Sequence, residues 1–264
     1  MSISPIGIFD SGLGGLSVFK EMVKLLPNEN MIYFADSGHC PYGEKSPKEI
    51  TSLSTRIVDF FIRKECKIIV IACNTATSAA IKDLRTNYDI SFIGIEPATK
   101  PAAENSKTGT IGILATKGTF EGRLFKSTKK KYAYNTKVII EIGTGLVEII
   151  ENNDIESEYA RNLVKKYIEP IIAQQADHIV LGCTHYPFLI PIIQQLIPEN
   201  ITIVNPAPAV ARQILAVLKE DKLNNQSFSS PIYQFYTSGS LNKLESFLKT
   251  HFSELRNFST EVVF

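Results

Sequence analysis

Short apolar runs, each closed by a turn of small residues and followed by a helical pattern, recur along most of this chain. That alternation constrains the fold most, because strands separated by helices return to their sheet in parallel, with helices over both faces. "SPIGIF" closes at "DSGLGG" before the helical "LSVFKEMVKLL", and "MIYFA" closes at "DSGHCPYG". "KIIVIA" precedes the helical "TATSAAIKDLRTNY". "ISFIGI", "GTIGILA", "KVIIEI", "HIVLGC", "ITIVN" and "IYQFYTSG" are further strand candidates. Helices are expected over "SPKEITSLSTRIVDFFIRKE", with Ser46 as N-cap and Pro47 at its first position. They are also expected over "EYARNLVKKYIEPIIAQQ", "PAVARQILAVLKE" and "SLNKLESFLKTHF", while "LNNQSFSSP" reads as a loop.

The pattern also repeats. "IVIACNTA" at Ile69 lines up with "IVLGCTHY" at Ile179, and "IGIFDSG" at Ile6 pairs with "IGILATKG" at Ile111. Asp10 precedes Cys73 by 63 residues and Thr116 precedes Cys183 by 67. The paired order favours two similar α/β domains over chance likeness between buried strands. With 264 residues, 44% of them hydrophobic, the chain is long enough for each to bury a core. The boundaries expected are 1–97 plus 208–264 for the first domain and 98–207 for the second.

Lysine and arginine number 28 against 27 acidic residues, a net charge of +1. This balance gives no signal for nucleic acid or membrane. The basic "KSTKKK" from Lys126 to Lys131 reads as a solvated helix end or loop. "MSISPIGIFDSG" lacks the basic start and apolar run of a signal peptide, and no stretch reaches membrane-span length, so a cytoplasmic protein is expected. Four cysteines, Cys40, Cys66, Cys73 and Cys183, are then free thiols rather than a disulfide framework.

In open parallel sheets, ligands bind beyond the carboxyl ends of strands. The four repeated turns fall at such ends, and the helices after them offer free N–H groups and a positive dipole end, which suits a small anion. Gly12, Gly14 and Gly15 resemble a dinucleotide turn, but Ser17 stands where the third glycine belongs, and no G-K-[ST] follows. Asp10 and Ser11 remain either as functional groups at a strand end or as caps of a glycine turn.

A thiol at a helix N-terminus is expected to have a lowered pKa. One such cysteine alone is more often a small buried hydrophobe. Two in equivalent places, followed by Asn-Thr and Thr-His, point to function. C-x-x-C is absent, which disfavours a disulfide oxidoreductase. A zinc site would need Cys40 or His39 to join Cys73, Cys183 and His185, at a spacing that matches no common motif. A cysteine hydrolase built on Cys183 and His185 would leave Cys73 idle. Two-base proton transfer uses both thiols, one removing a proton from a carbon and the other returning one to its opposite face.

Taken together, "IGIFDSGLGGLSV", "YFADSGHCPYGE", "IACNTATSAA", "GIEPA", "GILATKGT" and "GCTHYP" resemble the glutamate racemases of the cofactor-independent aspartate/glutamate racemase superfamily. The resemblance runs from Ile6 to about Pro208. It implies two α/β domains, mostly parallel sheets flanked by helices, related by a pseudo-twofold axis with the active site in the cleft between them. It implies that Cys73 and Cys183 are the catalytic thiols, assisted by Asp10 and His185 respectively. Asp10, Ser11, Tyr42, Gly43, Asn74, Thr75, Thr116, Thr119, Thr184 and His185 match positions that hold the amino-acid substrate, glutamate. No cofactor and no metal are implied, a homodimer is usual, and D-glutamate would feed peptidoglycan synthesis. Where the family often has "CP" before "LVPLVE", this chain reads "IGTGLVEIIE", with Gly143, Thr144 and Glu148 in place of the usual residues. Glu151 matches the glutamate that the family places near the active site; the alternative is a solvent-facing helix residue.

Other readings stay open at this stage: a racemase of aspartate or another amino acid, a non-catalytic amino-acid-binding protein, or cysteine-dependent hydrolase or lyase chemistry. Cys66 is expected to pack before a strand. Cys40 and His39 are expected along the cleft without a catalytic role. His178 is expected at the surface where a strand starts, and His251 near a helix end.

Overall fold

A computed structural model describes residues 2–227, 230–255 and 258–263. Its strands are β1 (Ile6–Asp10), β2 (Met31–Ala35), β3 (Ile68–Ile71), β4 (Phe92–Gly94), β5 (Thr110–Ala115), β6 (Lys137–Ile142), β7 (His178–Gly182), β8 (Thr202–Val204), β9 (Tyr233–Thr237) and β10 (Phe258–Val262). They form two sheets, ordered β10-β9-β2-β1-β3-β4 and β6-β5-β7-β8. Every pairing between them is parallel. The order β2-β1-β3-β4 in the first sheet is repeated as β6-β5-β7-β8 in the second, so the two matched pairs of sequence segments are matched strands.

Alternation along the strands explains why both sheet faces are covered. In β3, Ile68 and Val70 join one apolar cluster while Ile69 and Ile71 join another on the opposite face. In β7, Ile179 and Leu181 share that first cluster, and Val180 faces a third with Ile111, Ile113 and Phe125. The first cluster is continuous through both halves, from Phe19, Met22 and Ile214 to Ile150, Ile168 and Leu189. The same glycine device recurs in both halves. A Cβ on Gly7 of β1 would lie 2.8 Å from the Phe61 ring, and one on Gly112 of β5 would lie 2.3 Å from Ile171 Cγ2. Only glycine lets the covering helices, Pro47–Arg63 and Glu158–Ala173, sit so close to the central strands.

Local signals place the helix starts. Ser46 Oγ accepts the Glu49 N–H at 3.3 Å ahead of Pro47. Helix Asn74–Asn87 is capped by Cys73 itself, whose Sγ accepts the Ala76 N–H at 3.4 Å. The "KSTKKK" cluster forms the exposed end of helix Arg123–Tyr132.

Some elements were not anticipated. Helices Thr99–Asn105 and Ile190–Leu196 are one to two turns long, too short to show a period. Strand β10 reads "FSTEV" and is largely exposed at a sheet edge, so it lacks an apolar run. His178 is not a surface residue: its side chain is 12% exposed, and Nδ1 meets Asp177 Oδ1 at 2.9 Å. Cys66 is buried, and His251 closes helix Leu241–His251. The loop expected over 223–231 includes Phe228 and Ser229, which lie outside the described residues.

Candidate active site

The carboxyl ends of β1, β3, β5 and β7 converge on one small cavity. Cys73 comes from the end of β3, and Cys183 from the matched end of β7. Both line this cavity, with Ser11, Tyr42, Gly43, Asn74, Thr75, Thr116, Thr119, Thr184 and His185. Pro41 and Val147 complete the wall; being apolar, they carry no chemical motif that would single them out in a sequence. Asp10 and Glu151 stand behind the lining rather than in it.

Around Cys73, Sγ lies 3.7 Å from Ser11 Oγ. Asp10 ends β1 fully buried; its Oδ2 accepts the Gly12 N–H at 3.1 Å and its Oδ1 accepts the Thr184 hydroxyl at 3.1 Å. That last bond joins the two halves, as does Ser17 Oγ donating to the Thr184 carbonyl at 2.8 Å. The expected drop in thiol pKa is reversed at Cys73. Burial pushes it well above the ordinary thiol range and the Asp10 charge adds to this, outweighing the single N–H from Ala76. The helix N-terminus contributes that N–H, and burial of the sulfur works against it. Burial also raises Asp10, against the pull of His185.

Cys183 does not cap an α-helix; it opens a turn into the 3₁₀ segment Tyr186–Leu189. Its Sγ lies 3.7 Å from His185 Nδ1. The other ring nitrogen, Nε2, is 2.6 Å from Glu151 Oε1. Burial works to lower the His185 pKa but is outweighed by Cys183, Cys40 and Glu151, which hold it well above the usual histidine range. Glu151 also accepts the Leu13 N–H at 2.6 Å and the Ser37 hydroxyl at 3.3 Å. It therefore faces inward, although Gly143, Thr144 and Glu148 alter the segment before it.

Hydroxyls close the cavity. Thr75 Oγ1 lies 3.0 Å from Thr116 Oγ1 and 3.5 Å from Thr119 Oγ1, across the two halves. Asn74 is the exception: both of its side-chain polar atoms are buried and, among the described residues, have no hydrogen-bond partner. A buried unpaired amide is costly unless something completes it.

Two residues of the surroundings, Asp36 and Tyr33, lay beyond sequence reasoning, while Cys40 was expected along the cleft. Asp36 accepts the Tyr42 hydroxyl at 2.5 Å and the Ser238 hydroxyl at 2.5 Å, so it fixes the "PYG" turn from behind. Tyr33 donates to the Gly12 carbonyl at 2.7 Å. Cys40 packs against the glycine turn and His185, and burial pushes its thiol up to about 11. His39 points to Asp36 instead, at 2.8 Å.

Two matched thiols lining one small cavity, each just beyond a strand of its own parallel sheet, define an α/β protein equipped for acid–base chemistry on a small polar ligand. The chain belongs to the Asp/Glu/Hydantoin racemase family, whose model matches residues 6–214. It is 42% identical to a glutamate racemase of Herpetosiphon aurantiacus over 97% of this chain and 98% of the relative. It is 47% identical to one of Clostridium perfringens over 85% of this chain and 86% of the relative. Among solved structures, a glutamate racemase isoform of Bacillus anthracis superposes with a TM-score of 0.90 at 30% identity, over 100% of this chain and 98% of the other. A Francisella tularensis glutamate racemase in complex with D-glutamate gives 0.86 at 27%, with the same coverage. The chain is accordingly a racemase, an isomerase. Among the described residues no helix is long and apolar enough to cross a membrane.

Proposed function

We propose that this chain interconverts L- and D-glutamate by proton transfer between two thiols, Cys73 and Cys183, at the α-carbon. The observation that carries this reading is that the two thiols line one cavity from matched strand ends. One thiolate removes the α-proton, the other thiol delivers a proton to the opposite face, and their protonation states exchange. Glutamate bound between the domains, 1–97 plus 208–264 and 98–207, brings its own ammonium, which offsets part of what holds the Cys73 thiol protonated, burial first and the Asp10 charge second.

Asp10 accepts and returns the proton on the Cys73 side. His185 does so for Cys183 through Nδ1, with Glu151 fixing the ring through Nε2. The carbanion's charge spreads into the α-carboxylate, which hydroxyl and N–H donors from Ser11, Asn74, Thr75, Thr116, Thr119 and Thr184 surround. Tyr42 and Gly43 complete the substrate contacts. The unpartnered amide of Asn74 supports this reading, since a bound amino acid offers both a donor and an acceptor. D-Glutamate so made supplies peptidoglycan synthesis, in the cytoplasm, and the enzyme works as a homodimer.

The test is solvent exchange. Incubated in D₂O with either enantiomer, the chain incorporates deuterium at Cα of glutamate as optical rotation decays, and does so far faster than with aspartate. Absence of exchange overturns the proposal; faster exchange into aspartate moves the substrate to the shorter acid.

A further inference from the structure

Cys40, Glu151 and His185 bring a thiol, a carboxylate and an imidazole together beside the cavity, and the proposed reaction leaves the thiol without a task. Their donor atoms all lie within 4.8 Å of one another. A tetrahedral zinc ion bound at 2.0–2.3 Å keeps its ligand atoms roughly 3.3–3.8 Å apart, so only a small rearrangement separates these three atoms from a metal-binding triangle. Gly12 makes the approach possible: a Cβ there would fall 2.1 Å from Glu151 Oε1 and 3.1 Å from Cys40 Sγ.

Two of the three ligands are already oriented from behind, as metal ligands require. The Leu13 N–H and the Ser37 hydroxyl hold the Glu151 carboxylate. His185 turns Nδ1 toward Cys183 and Nε2 toward Glu151, with Cys40 close to the ring. Mixed sulfur, nitrogen and oxygen donors suit a borderline-soft ion.

We propose that Cys40, Glu151 and His185 form an inhibitory site for a borderline-soft divalent cation, Zn²⁺ foremost. The cation takes the place of the proton between His185 Nε2 and Glu151, and displaces the Cys40 thiol proton to solvent, with no change of oxidation state. The neutral ring then carries its single proton on Nδ1, any second ring proton going to solvent, so His185 no longer takes up a proton from Cys183. This consequence for activity rests on the two-thiol reading; metal binding does not.

Racemisation by the full chain is measured against buffered free Zn²⁺ for the wild type and Cys40→Ser. The wild type loses activity, recovers with chelator, and is at least about tenfold more sensitive than Cys40→Ser. Equal sensitivity, which would place the metal on the catalytic thiols, or an insensitive wild type overturns the site. A second measurement needs no activity. Co²⁺ is added to the Cys73→Ser/Cys183→Ser variant, where a thiolate-to-cobalt charge-transfer band is expected, and it disappears when Cys40→Ser is added. Its absence from the double variant also overturns the site. If the band appears while glutamate fails to exchange, the metal site stands and the racemase reading falls.

Discussion

His185 Nε2 and Glu151 Oε1 are 2.6 Å apart, and the same carboxylate oxygen accepts the Leu13 N–H at 2.6 Å. One acid thereby ties the histidine beside Cys183 to the glycine turn beside Cys73. Glu151→Gln keeps the shape but lets the amide present the wrong group to the imidazole. Turnover is expected to fall on the order of a hundredfold in both directions, with KM for glutamate changed little. A KM effect alone, with kcat intact, would instead assign Glu151 to substrate binding.

Each thiol is needed for inversion. Cys73→Ser and Cys183→Ser should each lower racemisation by about 10²–10⁴-fold, since a hydroxyl is a far weaker acid. If Cys73→Ser keeps full activity while Cys183→Ser is dead, single-nucleophile chemistry replaces the two-base scheme. Progress curves by circular dichroism from both enantiomers decide this.

Asn74 should separate stability from function. Its two unpartnered polar atoms carry a burial cost of about 1–3 kcal/mol, so Asn74→Ala is expected to melt at or above the wild-type temperature. KM for glutamate should rise at the same time, because the ligand loses a donor and an acceptor. A clear drop in Tm with KM unchanged would make Asn74 a structural residue.

Gly112 is a packing requirement. Gly112→Ala forces a methyl to within 2.3 Å of Ile171 Cγ2, and overpacking of this kind costs about 1–3 kcal/mol. Urea denaturation should show that loss, and the same substitution should cost less in an Ile171→Ala background, which lacks Cγ2. Full stability in Gly112→Ala would mean that helix Glu158–Ala173 shifts freely over β5.

Asp177 should make stability pH-dependent. Burial acts to raise its pKa, but His178, the N–H groups of Thr108 and Lys107, and the Ser106 hydroxyl outweigh it and hold the carboxyl well below its ordinary range. A depressed pKa contributes stability that is present above the unfolded value, about 3.9, and is lost as pH falls through the folded one. Asp177→Asn should therefore be less stable than the wild type at neutral pH, and the gap should narrow below pH of about 4. Urea midpoints that keep a constant gap down to low pH would contradict this.

Much of the architecture was legible because it rests on local signals. "IGI" and "IV" runs marked the central strands, Ser46-Pro47 marked a helix start, and the matched spacing of Cys73 and Cys183 announced that the fold repeats. Strand β10 was not legible, since an exposed edge strand needs no apolar face. Nor was the direction of the Cys73 shift: helix position suggested a lowered pKa, and burial beside Asp10 reverses it.

The sequence by itself determined which residues lie at strand ends, because hydrophobic period, turn chemistry and motif order are properties of neighbours along the chain. Only the tertiary structure decided what those ends do to each other. That Glu151 faces inward to His185, that Asn74 is buried without a partner among the described residues, and that Cys40 joins a carboxylate and an imidazole all depend on contacts between distant segments. Their energies come from desolvation and hydrogen-bond geometry, which act through space rather than along the chain.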